Sequence, residues 1–214
     1  HLEIGDNGPG IPEGEIERLK RPFTRLENAR TNASGTGLGL AIVERVARIL
    51  AVANQKGGVA KTTTVINLAA ALVERGERVL VVDLDAQACA TFSLGLDPED
   101  LEESGADVFM RREPGRQVAD IVIRTADGVD LLPAVIDLAG ADRALASVLG
   151  REYVVRDALE PVRGDYDWIL LDCSPSLGII TINALTAANG VIVPLQCETL
   201  SHRGVGQLLE TIAD

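Results

Sequence analysis

Asn54-Gln55-Lys56-Gly57-Gly58-Val59-Ala60-Lys61-Thr62-Thr63-Thr64 is the stretch on which the rest of the chain hangs. It lies between an apolar run, Ile49 to Ala53, and a run with helical spacing, Val65 to Glu74. A strand, a glycine-containing turn and a helix start make a cradle for phosphate. The turn's N–H groups and the helix N-terminus converge and favour an anion. Lys61 would add a charge on the outer phosphates, and Thr62 a hydroxyl for Mg²⁺.

Composition suits a globular domain of this kind. Of 214 residues, 46% are apolar, 24% charged and only 3% aromatic, so the core must rest on aliphatic side chains. No apolar run approaches the ~20 residues of a membrane helix. No basic tip with an apolar core marks a signal peptide. The three cysteines, Cys89, Cys173 and Cys197, lack metal-ligand spacing and read as buried reduced thiols. A cytoplasmic location and no membrane partner are therefore expected. The chain starts at His1, which implies a piece of a longer protein. The net charge of −12 lies wholly beyond residue 50, because 1–50 hold seven acidic and seven basic side chains. Much of it falls between Asp97 and Asp107. That balance argues against nucleic acid as a default partner.

From residue 51 the pattern alternates between strand and helix, the mark of a mostly parallel, doubly wound α/β sheet. Strands are expected at Arg78 to Asp83, Asp120 to Arg124, Val129 to Ala134, Asp167 to Leu171 and Gly190 to Leu195. Helices are expected at Asp137 to Leu149, Val154 to Arg163, Ile179 to Ala188 and from Gly204. Upstream, Leu38 to Leu50 also has helical spacing, and that helix should end around Val46 to Arg48.

Ligands on such sheets sit at the carboxyl ends of strands. One strand end carries the phosphate loop. A second ends in Asp83-Leu84-Asp85, and a third in Asp172 after Trp168-Ile169-Leu170-Leu171. An acid after a four-residue apolar run is a Walker B arrangement, a carboxylate placed to hold Mg²⁺ through water.

The loop departs from the ordinary P-loop pattern G-x-x-x-x-G-K-[ST] at both glycines, which are Gln55 and Ala60. It fits K-G-G-x-x-K-[ST] at every fixed position. In this it resembles the deviant Walker A box of ParA/Soj/MinD-type ATPases, and the resemblance covers about 49–214. It includes Arg78 to Asp85, Leu170 to Gly178 and Val193 to Gln196. It implies an ATP site at Lys56, Gly57, Gly58, Val59, Ala60, Lys61, Thr62 and Thr63. Lys56 would reach the partner's nucleotide across a homodimer, and Gly57 would lie at the dimer face. The catalytic set would be Lys56, Lys61 and Asp85, with Asp85 orienting the attacking water. Thr62, Asp83 and Asp172 would serve Mg²⁺. Ala60 stands where relatives have glycine and is strained if φ is positive there. The family's last strands are absent after Asp214, so the sheet should be incomplete at its C-terminal end.

Residues 1–47 resemble another module. Asp6-Asn7-Gly8-Pro9-Gly10, Arg21-Pro22-Phe23-Thr24-Arg25 and Gly35-Thr36-Gly37-Leu38-Gly39 are similar to three boxes of the ATP-binding domain of sensor histidine kinases. This implies a second nucleotide site at Asp6, Gly8, Gly10, Gly35, Gly37 and Gly39. Its Mg²⁺-binding asparagine box is missing.

The expected organisation is a kinase-like fragment at 1–47 and a ParA-like P-loop domain at 48–214. The expected function is an Mg²⁺-dependent ATPase of chromosome or plasmid segregation, acting as an ATP-dependent homodimer with a ParB-like stimulating protein. Non-specific DNA binding is implied for the full-length parent. It is doubtful for this chain, where Arg203 is the only basic residue after Arg163. The alternatives are a sensor-kinase ATP-binding module and a non-catalytic chimeric fragment.

Overall fold

A computed structural model describes residues 47–110 and 115–196. The candidates Asp6, Gly8, Gly10, Gly35, Gly37 and Gly39 lie outside these, as do Cys197 and the helix expected from Gly204.

Strand β1, Arg48–Val52, leads into the loop, and helix α1, Lys61–Glu74, leaves it. Then come β2, Val79–Leu84, and three short helices: α2, Cys89–Ser93, α3, Gly105–Phe109, and α4, Val118–Ile121. Strands β3, Ile123–Arg124, and β4, Asp130–Leu132, follow. After a 3₁₀ turn at Ile136–Gly140 come α5, Ala141–Ala144, and α6, Val154–Leu159. The described part ends with β5, Trp168–Cys173, α7, Ile179–Ala187, and β6, Gly190–Ile192.

The strands form one sheet in the order β3-β4-β2-β5-β1-β6. All neighbours are parallel except β3 and β4. Every residue of β2 is buried, as a strand covered on both faces requires. Side chains of alternate parity separate into two cores. Val79, Val81 and Leu170 face α1 through Val65 and Ala69. Leu80, Val82, Ile169 and Leu171 face α6 and α7 through Val155, Leu159, Ile180 and Ala184. The expected doubly wound fold is thus present.

Several local expectations change. Strand β1 opens at Arg48, one residue before the expected Ile49, with the Arg48 guanidinium 5.3 Å from the Trp168 ring centroid. The strand expected at Asp120 to Arg124 is half helix. Asp120 accepts a hydrogen bond from the Gln117 N–H at 2.9 Å and closes a capping box that fixes α4 first. The long helix expected at Asp137 to Leu149 breaks into the 3₁₀ turn and α5. Cys89 is exposed, whereas Cys173 is buried as expected.

Candidate functional site

Three parallel neighbours, β2, β5 and β1, bring the candidate residues to one sheet edge. Asp83 on β2 pairs in register with Asp172 on β5, and Asp172 with Val52 on β1. The loop therefore starts one strand away from Asp172.

Within the loop, Gly58 has φ +71° and Ala60 has φ 69°. The expected strain at Ala60 is present, since a Cβ in the left-handed region costs ~1–2 kcal/mol. Ala60 is the N-cap of α1 and gives it no side-chain cap, and the first turn holds no acidic residue. Among the described residues, the N–H groups of Lys61, Thr62 and Thr63 find no protein acceptor. An uncapped fourteen-residue helix thus points free donors and its positive end at the loop. The buried Lys61 curls back, its Nζ donating to the Lys56 carbonyl at 3.2 Å.

Two side chains brace this loop. Asn54 accepts from the Lys56 N–H at 2.9 Å and donates from Nδ2 to the Pro194 carbonyl at 2.8 Å. Gln196 donates from Nε2 to the Gly58 carbonyl at 3.1 Å. The segment after β6 therefore holds the phosphate cradle in shape.

The acids differ sharply. Asp83 is saturated: Oδ1 accepts from the Asp85 N–H at 3.1 Å, and Oδ2 from the Thr91 N–H at 2.9 Å and the Thr91 hydroxyl at 2.7 Å. Burial raises its pKa even so. Asp172 is equally buried, yet neither oxygen has a hydrogen bond of good geometry among the described residues. Burial pushes its pKa up to about 7; the Thr62 hydroxyl and the Lys61 ammonium draw it down, while Asp83 and Asp85 add to the rise. An unpartnered buried carboxylate is the donor a hydrated Mg²⁺ requires. Asp85 is half-buried and accepts from the Gln87 N–H at 3.0 Å in a tight turn. A cavity of about 360 Å³ opens beside it, lined also by Asp142, Ser174 and Ile180. Among the described residues, no three metal-ligating side chains gather. That fits a metal held by one hydroxyl, one carboxylate and phosphate oxygens.

The family described as AAA domain matches residues 47–214. The chain belongs to the AAA domain family. A second family, described as histidine kinase-, DNA gyrase B-, and HSP90-like ATPase, matches residues 1–84. Sporulation initiation inhibitor protein Soj of Bacillus subtilis is 46% identical over 166 residues, 77% of this chain and 64% of Soj. Chromosome partitioning protein ParA of Caulobacter vibrioides is 46% identical over 168 residues, 77% of this chain and 62% of ParA. The chain thus spans less than two thirds of the length of these curated relatives. A Mycobacterium smegmatis structure, described as cobyrinic acid a,c-diamide synthase with ATP analogue and magnesium, superposes with TM-score 0.75 at 57% identity. That superposition covers 79% of this chain and 68% of the other. The resemblance to ParA/Soj-type ATPases is borne out, and with it the fold.

In this AAA domain, sequence reasoning missed Thr91, whose hydroxyl also accepts from the Ala134 N–H at 3.0 Å. With that acceptor role filled, its own proton goes to Asp83. Asn54 and Gln196 were visible only as members of motif stretches. A buried acid at a strand end needing several donors is the one signal that could have pointed to Thr91.

Proposed function

We propose that the chain binds and hydrolyses Mg·ATP as a ParA-like partition ATPase. The observation that carries this is the pairing of an uncapped helix N-terminus at Lys61 with the unpartnered buried carboxylate of Asp172 one strand away. Lys56, Gly57, Gly58, Val59, Ala60, Lys61, Thr62 and Thr63 bind the phosphates through backbone N–H groups and the Lys61 charge. Thr62 and Asp172 hold Mg²⁺, the metal that neutralises charge developing on the transferred phosphoryl. Asp83, given its three hydrogen bonds, fixes the Asp85 turn in addition to any water-mediated contact with the metal. Asp85 orients the attacking water. Lys56 acts across an ATP-dependent homodimer whose face includes Gly57.

The setting we propose is chromosome or plasmid segregation in the cytoplasm, with a ParB-like protein stimulating hydrolysis. Its support is the likeness to Soj and ParA. Among the described residues, no helix is long and apolar enough to cross a membrane. We also place the domain boundary near residue 47, where the AAA match begins. Titration with a fluorescent ATP analogue and Mg²⁺ tests the site. Lys61→Ala should abolish binding and Asp6→Ala should leave it intact. The reverse pattern would move the nucleotide to the N-terminal segment.

A further inference from the structure

The cavity beside Asp85 has three walls, and each follows a different strand. The first is the turn after β2, with Asp85 and Gln87. The second is the segment from Ser174 to Gly178, between β5 and α7. The third is the stretch after β4, with Leu138 and Asp142. The first two adjoin the acids of the site. The third carries no group assigned to the reaction, yet it is tied to both sides.

Side-chain hydrogen bonds fasten its two ends. At one end the Ala134 N–H donates to the Thr91 hydroxyl at 3.0 Å, and that hydroxyl donates to Asp83. Thr91 lies on α2, whose N-cap Ala88 closes the Asp85 turn by donating its N–H to the Asp85 carbonyl at 2.8 Å. At the other end the Asp142 carboxylate accepts from the Ile179 N–H, the first of α7, at 2.8 Å. Between these ends Leu138 and Ala141 are buried in the core that also holds Ala88 and Ile180. Residues 134–142 thus form a strap from the end of β2 to the end of β5.

The α7 end of the strap is closely fitted. Gly178 at the N-cap of α7 has no side chain to cap it, and the first turn holds no acid. Asp142 supplies the acceptor from outside and sets a carboxylate against the positive end of the helix. Both of its oxygens lie close to Gly178, where a Cβ would stand 3.1 Å from Oδ2 and 3.3 Å from Oδ1. Glycine serves here to admit the carboxylate and not to relieve the backbone, since φ is −71°. Thr181 fastens the adjoining wall, its hydroxyl donating to the Ser176 carbonyl at 2.7 Å.

We propose that Asp142 is a positioning residue for phosphoryl transfer, fixing the wall from Ser174 to Gly178 relative to the Asp85 turn. Its effect on turnover rests on the ATPase reading above; the strap does not. Asp85 and Asp172 must be set together, and Ser174 is two residues beyond Asp172. Relaxing the strap leaves the phosphate loop intact, because Asn54 and Gln196 hold that loop from the β6 side. It misplaces Asp85 against the opposite wall. A shift of about 1 Å costs on the order of a hundredfold in rate, with little change in nucleotide affinity.

The assay is steady-state ATP hydrolysis by the whole chain with Mg²⁺, on variants confirmed folded by circular dichroism. Asp142 is exposed, so its replacement should leave the fold intact. Asp142→Ala should lower kcat roughly ten- to hundredfold and keep KM for ATP within about twofold. Asp142→Asn keeps an acceptor that caps about as well as aspartate, and should restore most of kcat. Gly178→Ala should lower kcat too, because its methyl displaces the carboxylate. Combined with Asp142→Ala it should cost nothing more, since no carboxylate is left to displace. Hydrogen exchange of the ligand-free Asp142→Ala chain should quicken at 134–142 and 87–91 as well as at 179–182.

An unchanged kcat in Asp142→Ala, a rise in KM alone, no repair by asparagine, or losses that multiply in the double variant would each overturn the proposal. So would quickened exchange confined to 179–182, which would make Asp142 a local cap. A chain that turns over no ATP would sink the ATPase reading, and the exchange pattern alone would then decide the strap.

Discussion

Replacing Asp172 by asparagine should stabilise the ligand-free protein most at about pH 8 and by roughly 3 kcal/mol less at about pH 5. Asp172 is fully buried with no hydrogen bond of good geometry among the described residues, and its pKa rises from 3.8 to about 7. Because the folded value lies above the unfolded one, folding takes up a proton within that window. The resulting contribution to stability is complete below about pH 4 and is lost as pH rises through about 7. At about 1.4 kcal/mol per pH unit, the loss is on the order of 4 kcal/mol at most. Asparagine has no such titration, but its buried amide needs partners, which removes part of the gain. The assay is urea denaturation of both proteins from about pH 5 to 8, reading the difference between them so that most other groups cancel. The difference should move in favour of Asp172→Asn by a few kcal/mol across the range. Movement the other way would mean that Lys61 and Thr62 outweigh burial and hold the carboxylate charged. A flat difference would mean that Asp172 has the same pKa folded and unfolded. With Mg·ADP present the order should reverse at high pH, since the carboxylate then has its cation.

Thr91→Val removes the hydroxyl donor from Asp83 and the acceptor from Ala134 while keeping the shape. It should cost about 3 kcal/mol in urea unfolding, and Thr91→Ser should restore most of it; equal losses in both would point to the methyl group instead. Gly57 has open space where a Cβ would go, with nothing within 4 Å. Gly57→Val should therefore leave stability within about 0.5 kcal/mol yet abolish the ATP-dependent dimer in sedimentation velocity. An unchanged profile with ATP would remove Gly57 from the dimer face. Ala60→Gly relieves the left-handed strain of ~1–2 kcal/mol and loses ~0.5–1 kcal/mol to backbone entropy. A small rise in the urea midpoint is expected, and a fall would mean that the Ala60 methyl makes a contact worth more than the strain.

The long-range part of the fold was legible because the decisive strands are buried on both faces. Val79 to Leu84 and Trp168 to Cys173 are near-continuous apolar runs that end in acids, and few other structures place such runs so. Short elements were not legible. At 118–124 a capping box competes with β-branched residues, and the local hydrogen bonds win for one turn of helix. At 137–149, Leu138, Ala141 and Leu145 are buried at helical spacing, but the backbone reaches those positions through a 3₁₀ turn. Periodicity reports which side chains face inward, not which helix type carries them. Phe92 and Ile136, both exposed, show the converse limit. Nothing in their sequence surroundings distinguishes a large apolar residue left outside from one packed within.

The two aspartates paired in register show how one position type divides into two tasks. Both stand at carboxyl ends of buried strands, and both are fully buried. Asp83 spends its acceptors on Thr91 and the Asp85 N–H, so it stiffens the link between β2, α2 and the end of β4. Asp172 keeps its acceptors free and bears the desolvation that comes with that. A site with both acids saturated would be more stable and would have nothing left for a cation. One with neither saturated would place two unscreened charges on adjacent strands. The Thr91 hydroxyl decides between these cases, because it lets one acid be structural while the other stays available. On the far side of the loop, Asn54 and Gln196 do the equivalent work through the segment after β6. The phosphate loop is thus held on its β6 side by side chains outside the binding pattern itself, and removing the Asn54 or Gln196 side chain should weaken nucleotide binding without touching a single phosphate-facing group.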